Sequence, residues 1–141
     1  MLVQLLYVSR AHSGIDARAI DAILAQARQH NPVDGITGVL CHTDQLFLQL
    51  LEGGREQVNR LYGRILRDPR HSDVTLLAYA EVRERRYAAW TMGQSNLHKL
   101  NPATLLRYSA LPTFDPYRLP GASALALIDE LMASAAVLGR A

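Results

Sequence analysis

The 141-residue chain has one cysteine, Cys41, and one tryptophan, Trp90. A lone cysteine excludes an intrachain disulfide, fits a reducing compartment and removes the thiolates of a zinc framework. The five histidines, His12, His30, His42, His71 and His98, are scattered without ligand spacing, so no metal site is expected. Charge of one sign is also lacking. Fifteen Lys and Arg nearly balance thirteen Asp and Glu for a net +2, which gives no electrostatic mandate for nucleic acid. The longest apolar runs, such as Leu46 to Leu51, are strand-sized and far below a membrane span. The N-terminus opens directly into a strand-like segment with no visible signal peptide, so cytoplasmic residence is the default expectation. No Gly-x-Ser-x-Gly nucleophile motif appears, and Gly53-Gly54 lacks the spacing of a phosphate-cradling loop.

What is present is material for a core. Hydrophobic residues make up 49% of the chain and charged residues 20%, a globular composition with room for one domain and an appendage. Leu2 to Ser9 is almost continuously apolar, as in a strand covered on both faces. Between Asp16 and His30, residues Ile20, Ile23, Leu24 and Ala27 recur at helical spacing, and the helix should stop before Asn31-Pro32. Asp34-Gly35 marks a turn. Ile36 to Cys41 and Leu46 to Glu52 read as a hairpin, followed by a helix carrying Val58, Leu61, Tyr62 and Ile65 and ending near Asp68-Pro69. Val74 to Val82 and Ala88 to Gln94 look like two more strands joined by the charged segment Arg83 to Arg86.

This order predicts an α+β, ferredoxin-like βαββαββ fold: a five-stranded mixed sheet with both helices on one face. After about residue 97 the composition shifts, with a short helix from Asn101-Pro102 to Tyr108, a loop punctuated by Pro112, Pro116 and Pro120, and a helix from Ala122 to Leu138. The expected division is a domain over 1–97 and a helical extension over 98–141. The apolar surface of Leu125, Ile128, Leu131 and Met132 would cover the other face of the sheet or serve oligomer contacts.

Two polar residues sit where the pattern asks for apolar ones. Tyr7 alternates with Val3 and Leu5, and Gln49 with Phe47 and Leu51. Leaving a buried amide unpaired costs about 1–3 kcal/mol per group, so Gln49 needs a partner, and the Tyr7 hydroxyl is an obvious one. Spacing alone favours the plain outcomes: a pair that only satisfies the core, or a Gln49 facing solvent. Asn31 reads equally as a loop residue before Pro32. Trp90 and Met92 alternate onto one face of the last strand, where core packing is the ordinary reading. Arg64, Asp68, Arg70 and His71 cluster at the end of the second helix, where charges commonly face solvent.

Taken together, however, these residues resemble the BLUF family of flavin-binding blue-light sensors. The resemblance runs over about residues 2–96: Tyr7 and Ser9; Asn31; Asp34-Gly35-Ile36-Thr37-Gly38; Phe47 to Gly53; Asp68-Pro69-Arg70-His71; and Trp90-Thr91-Met92. Each element is weak alone; their order and spacing make the set specific. It implies a photoreceptor rather than an enzyme, holding FAD, or FMN, with the isoalloxazine ring between the two helices. Ile23 and Ile65 would flank the ring, Asn31 and Gln49 would bond its polar edge, and Arg64 would lie near the second carbonyl. Asp68, Arg70 and His71 would approach the polar tail. Tyr7 would be the electron donor and Gln49 the relay whose rearrangement red-shifts the absorption. Trp90 and Met92 would link the switch to output. The tail, with Leu106 to Ser109 and Thr113-Phe114, resembles short members that form homo-oligomers and bind a response-regulator-like partner. An acylphosphatase-like enzyme and a flavin-free small-ligand regulatory domain are the alternatives for the same fold, and both leave the constellation as coincidence.

Overall fold

Apolar residues on both faces of the first strand demand two covering layers. The computed structural model describes residues 1–11, 16–97 and 100–133. In it, β1 (Leu2–Ala11) turns Val3, Leu5 and Tyr7 toward α1 (Ala17–His30) and α2 (Arg55–Arg67), where they pack with Ile20, Leu24 and Val58. Leu6 and Val8 point the opposite way and meet Leu127 and Ile128 of α4 (Gly121–Met132). Full burial of one such aliphatic side chain is worth about 1.5–3 kcal/mol, so each layer is held by several strong contributions.

The remaining strands are β2 (Thr37–His42), β3 (Leu46–Gly54), β4 (His71–Val82) and β5 (Gly93–Asn96). Their order across the sheet is β4-β1-β3-β2-β5. β1 pairs antiparallel with β3 and β4, β2 pairs antiparallel with β3, and β5 runs parallel to β2. This is the expected ferredoxin-like arrangement extended by one strand. Local chemistry sets the boundaries. Asp16 caps α1 by accepting from the Ala19 amide at 2.8 Å, and Thr43 Oγ1 closes the β2–β3 hairpin by accepting from the Gln45 and Leu46 amides. Beyond β5, α3 (Pro102–Tyr108) is capped by Asn101, and a 3-10 turn at Pro116–Arg118 leads into α4.

The last strand differs from the expectation of Ala88 to Gln94. Residues 83–92 form an irregular connection, and only Gly93–Asn96 pair with β2. The backbone of this connection is satisfied elsewhere. Glu52 accepts from the amides of Arg86 and Tyr87, the Trp90 amide closes a turn onto Tyr87, and the Gly38 amide donates to the Trp90 carbonyl. Period-two alternation therefore does not apply, and Trp90 and Met92 do not share a face. Trp90 packs with the α4 layer, whereas Met92 is fully buried on the side of α1 and α2. The strand expected from Val74 starts earlier, at His71, across a register irregularity where Asp73 takes a positive φ of 49°. The far end of the helix expected to reach Leu138, and the segment from His12 to Gly14, lie outside the described residues.

Gly38 is required by close approach: a Cβ there would fall against the backbone carbonyl of Leu50. Overpacking of this kind costs about 1–3 kcal/mol. Gly38→Ala should lower the urea midpoint accordingly, and an unchanged midpoint would show that the β2–β3 pair relaxes freely.

Candidate functional site

Between α1 and α2, above the sheet, lies a cavity of about 340 Å³. That size falls within the range of small-ligand sites. Its walls are apolar: Ile23 and Ala27 from α1, Leu61 and Ile65 from α2. Ile23 and Ile65 are only partly buried although they flank the core, because the side chains beside them line open space. Leu40, Phe47 and Tyr7 form the floor.

Polar groups are set at defined points around this apolar slot. Tyr7 and Gln49 face each other directly in the β1–β3 register, so their side chains stand side by side on the helix face. The Tyr7 hydroxyl donates to Gln49 Oε1 at 2.5 Å, and Gln49 Nε2 donates to Met92 Sδ at 3.5 Å. Both ends of the amide are thereby engaged inside the protein, with one edge still open to the cavity. Burial pushes the Tyr7 phenol well above its ordinary pKa, so the hydroxyl remains a donor throughout the physiological range. Met92 is held a second time through its carbonyl, which accepts from Arg28 at 3.3 Å.

Asn31 follows the last residue of α1. Its backbone amide donates to Ala27 and its carbonyl accepts from Ile36, so the side-chain amide, although the residue is only 4% exposed, is left to line the cavity. At the mouth, Arg70 grips the Asp68 carboxylate with Nε and Nη2 and reaches Gln26 with Nη2. The hydrogen bonds from Arg70 hold the Asp68 carboxyl below the usual carboxylate range. Arg64 lies 4.0 Å from Asp34 and is half exposed. His71 Nδ1 is 2.8 Å from Ser9 Oγ and its ring packs on Phe47; burial lowers its pKa.

The structure thus brings Tyr7, Ile23, Asn31, Gln49, Arg64, Ile65, Asp68, Arg70 and His71 into one cavity. Met92 reaches it through Gln49, and Trp90 belongs to the opposite layer. Wall residues not expected at the site lie on the same helical faces: Gln26, Ala27 and His30 stand three, four and seven positions after Ile23, and Leu61 four before Ile65, with Ala27 and Leu61 already on the apolar stripes. Met92 as the neighbour of Gln49, and Arg28 as its clamp, carry no such periodic signal.

A flat ligand with apolar faces and a hydrogen-bonding edge suits this cavity: aliphatic walls on both helices, the Asn31 and Gln49 amides at one side, and a guanidinium nearby. Fold and site define a domain of ferredoxin-like topology with a ligand-sized cavity between its two helices, bordered by a buried tyrosine–glutamine pair. Comparison with known proteins agrees. The family model for BLUF, sensors of blue-light using FAD, matches residues 2–93, and the chain belongs to that family. It is 41% identical over 92 residues to photoactivated adenylate cyclase subunit beta of Euglena gracilis, covering 64% of this chain and 11% of that protein. It is 33% identical over 101 residues to the blue light- and temperature-regulated antirepressor BluF of Escherichia coli K12, covering 70% and 25%. The chain therefore spans only a small part of those curated relatives. Among solved structures, BlsA in its photo-activated state superposes with a TM-score of 0.85 at 29% identity, over 95% of this chain and 96% of that one. The acylphosphatase-like and flavin-free alternatives find no support.

The partly buried His71 couples stability to pH. With its folded pKa below the ordinary 6.5, His71 resists a proton that the unfolded chain accepts, so stability present above about pH 6.5 is lost as pH falls through the folded pKa. Replacing it, as His71→Gln, should shrink the drop in unfolding free energy between neutral and mildly acidic buffer; an identical drop would assign the pH dependence elsewhere.

Proposed function

We propose that Tyr7 and Gln49 form the light-responsive switch of a short flavin photoreceptor, and that Met92 is the first residue to feel it. The observation that carries this reading is the chain of two hydrogen bonds, Tyr7 to Gln49 Oε1 and Gln49 Nε2 to Met92 Sδ, along the cavity floor. Ile23 and Ile65 would sandwich the flavin, and Asn31 and Gln49 would bond its polar edge. Arg64 stands toward the other carbonyl side, with Asp68, Arg70 and His71 toward the tail. FAD suits the family, and FMN would satisfy the same ring contacts. When bound, the flavin supplies absorption of blue light and, once excited, a strong oxidant.

The residues supply the rest. Tyr7 is the oxidisable group at that edge, and its hydroxyl already points at Gln49, so loss of an electron from the phenol releases its proton along an existing hydrogen bond. Gln49 carries an acceptor at one end and donors at the other, and rotation or tautomerisation reverses its pattern without changing net charge. After rotation, Nε2 would face Tyr7 and Oε1 would face the Met92 sulfur. Two acceptors then confront each other, and Met92 loses its reason to stay. Such a rearrangement can bias a two-state segment.

For output, residues 1–97 act as the sensor and 98–141 as an extension that passes the change to another protein. The relatives' names point to different effectors, a cyclase in one case and an antirepressor in another. A response-regulator-like partner and a homo-oligomer are the forms we favour for this chain, in the cytoplasm. Among the described residues, no helix is long and apolar enough to cross a membrane.

Purified with added flavin, the protein should turn yellow and show a reversible red shift under blue light. Gln49→Leu and Tyr7→Phe should each bind flavin and lose that shift entirely; a normal photocycle in either would refute the assigned role. Light should also change hydrogen exchange in residues 88–97 and in α4, and identical dark and light patterns would rule out this output route.

A further inference from the structure

The irregular connection between β4 and β5 is held from two sides at the same two residues. From the sheet, the fully buried carboxylate of Glu52 accepts from the backbone amides of Arg86 at 2.7 Å and Tyr87 at 2.8 Å. Glu52 lies three residues beyond Gln49 on β3. From the C-terminal layer, Asp129 of α4 takes the side chains of the same pair: the Tyr87 hydroxyl donates to Oδ1, and Arg86 Nη1 donates to Oδ2 at 2.6 Å. Downstream, Trp90 turns back onto the Tyr87 carbonyl and Met92 ends against Gln49. Arg86 and Tyr87 therefore sit on a short covalent path from Met92, and both of their side-chain polar groups close on one carboxylate of α4.

We infer that Asp129 is a positioning residue for the output of the switch: its two-pronged clasp on Arg86 and Tyr87 makes α4 follow the segment that carries Met92. The inference rests on the functional reading above and names the contact through which it acts. Glu52 is the fixed side of the grip, because its carboxylate is fully buried and belongs to a central strand that pairs on both edges. Asp129 is the adjustable side. Its carboxylate is 42% exposed on a helix, and it holds a half-exposed guanidinium and the hydroxyl of a buried ring. A displacement starting at Met92 therefore has a mechanical connection to α4 besides apolar contact. Apolar contact between Trp90 and the α4 layer slides easily, whereas a charge-assisted bond from Arg86 and a bond from the phenol of buried Tyr87 hold direction.

The flavin-loaded protein and its variants Tyr87→Phe, Asp129→Ala and Asp129→Glu provide the test. Tyr87→Phe keeps the buried ring and removes only the hydroxyl prong; Asp129→Ala removes both. Each is measured for the red shift on illumination and for hydrogen exchange of residues 121–132 in dark and light. The expected result is a full red shift in all variants, with the light-minus-dark exchange difference at 121–132 reduced in Tyr87→Phe, lost in Asp129→Ala and restored in Asp129→Glu. If α4 merely loosens equally in dark and light, leaving the difference at its unsubstituted size, the clasp is structural and the inference is overturned. The unsubstituted protein separates the two levels. A red shift without any exchange difference at 121–132 sinks the clasp alone, and no red shift at all sinks the functional reading together with it.

Discussion

The hydrogen bond between Tyr7 and Gln49 depends on a dry sheet. β1 and β3 are central strands, packed by α1 and α2 on one face and α4 on the other, so both side chains are buried and open only along the cavity edge. Their direct opposition in the antiparallel register brings the two side chains together without help from any loop. In such a place an unpaired amide would cost more than the bond itself contributes, which ties the two residues to each other more firmly than their intrinsic attraction would. The remainder of the site is arranged around this pair: the cavity along its open edge, and Met92 on its far side.

That arrangement makes the amide of Gln49 directional. The oxygen accepts from a phenol that burial keeps protonated, and the nitrogen is left to donate to a soft acceptor, the Met92 thioether. A bond to sulfur is weak, and the residue making it lies in a connection that has no ladder to hold it. What keeps that connection in place is a set of separate polar contacts: Arg28 on the Met92 carbonyl, the Gly38 amide on Trp90, Glu52 on the backbone at Arg86 and Tyr87, and Asp129 on their side chains. A segment held by a few directional bonds has discrete alternatives in a way that a paired strand does not.

Much of this was legible without coordinates, where periodicity carried it. Helical spacing puts Ile23 and Ile65 on the inward stripes of their helices, and only the family resemblance makes them flank a ligand; strand alternation marks Tyr7 and Gln49 as polar intruders on apolar faces. Residues 88–92 depart from the strand expectation for a related reason. Ala88 to Gln94 has the composition of a strand, and only the capture of two amides by the distant Glu52 explains why pairing begins later, at Gly93. The same capture separates Trp90 from Met92 onto opposite layers, which no local rule anticipates.

By itself, the sequence determined the alternation of strands and helices, the demand for two covering layers, the family constellation and the list of polar residues that had to find partners. These are local properties, read from period, propensity and hydrogen-bonding capacity within a few residues. Only the tertiary structure decided which partner each polar group found: that Gln49 meets Met92 rather than Trp90, that Asn31 turns its amide into a cavity, and that Asp129 closes on Arg86 and Tyr87. Those choices depend on register and on groups 42 or more residues apart brought within hydrogen-bond distance, and the free energy that selects them comes from burying both faces of the sheet at once.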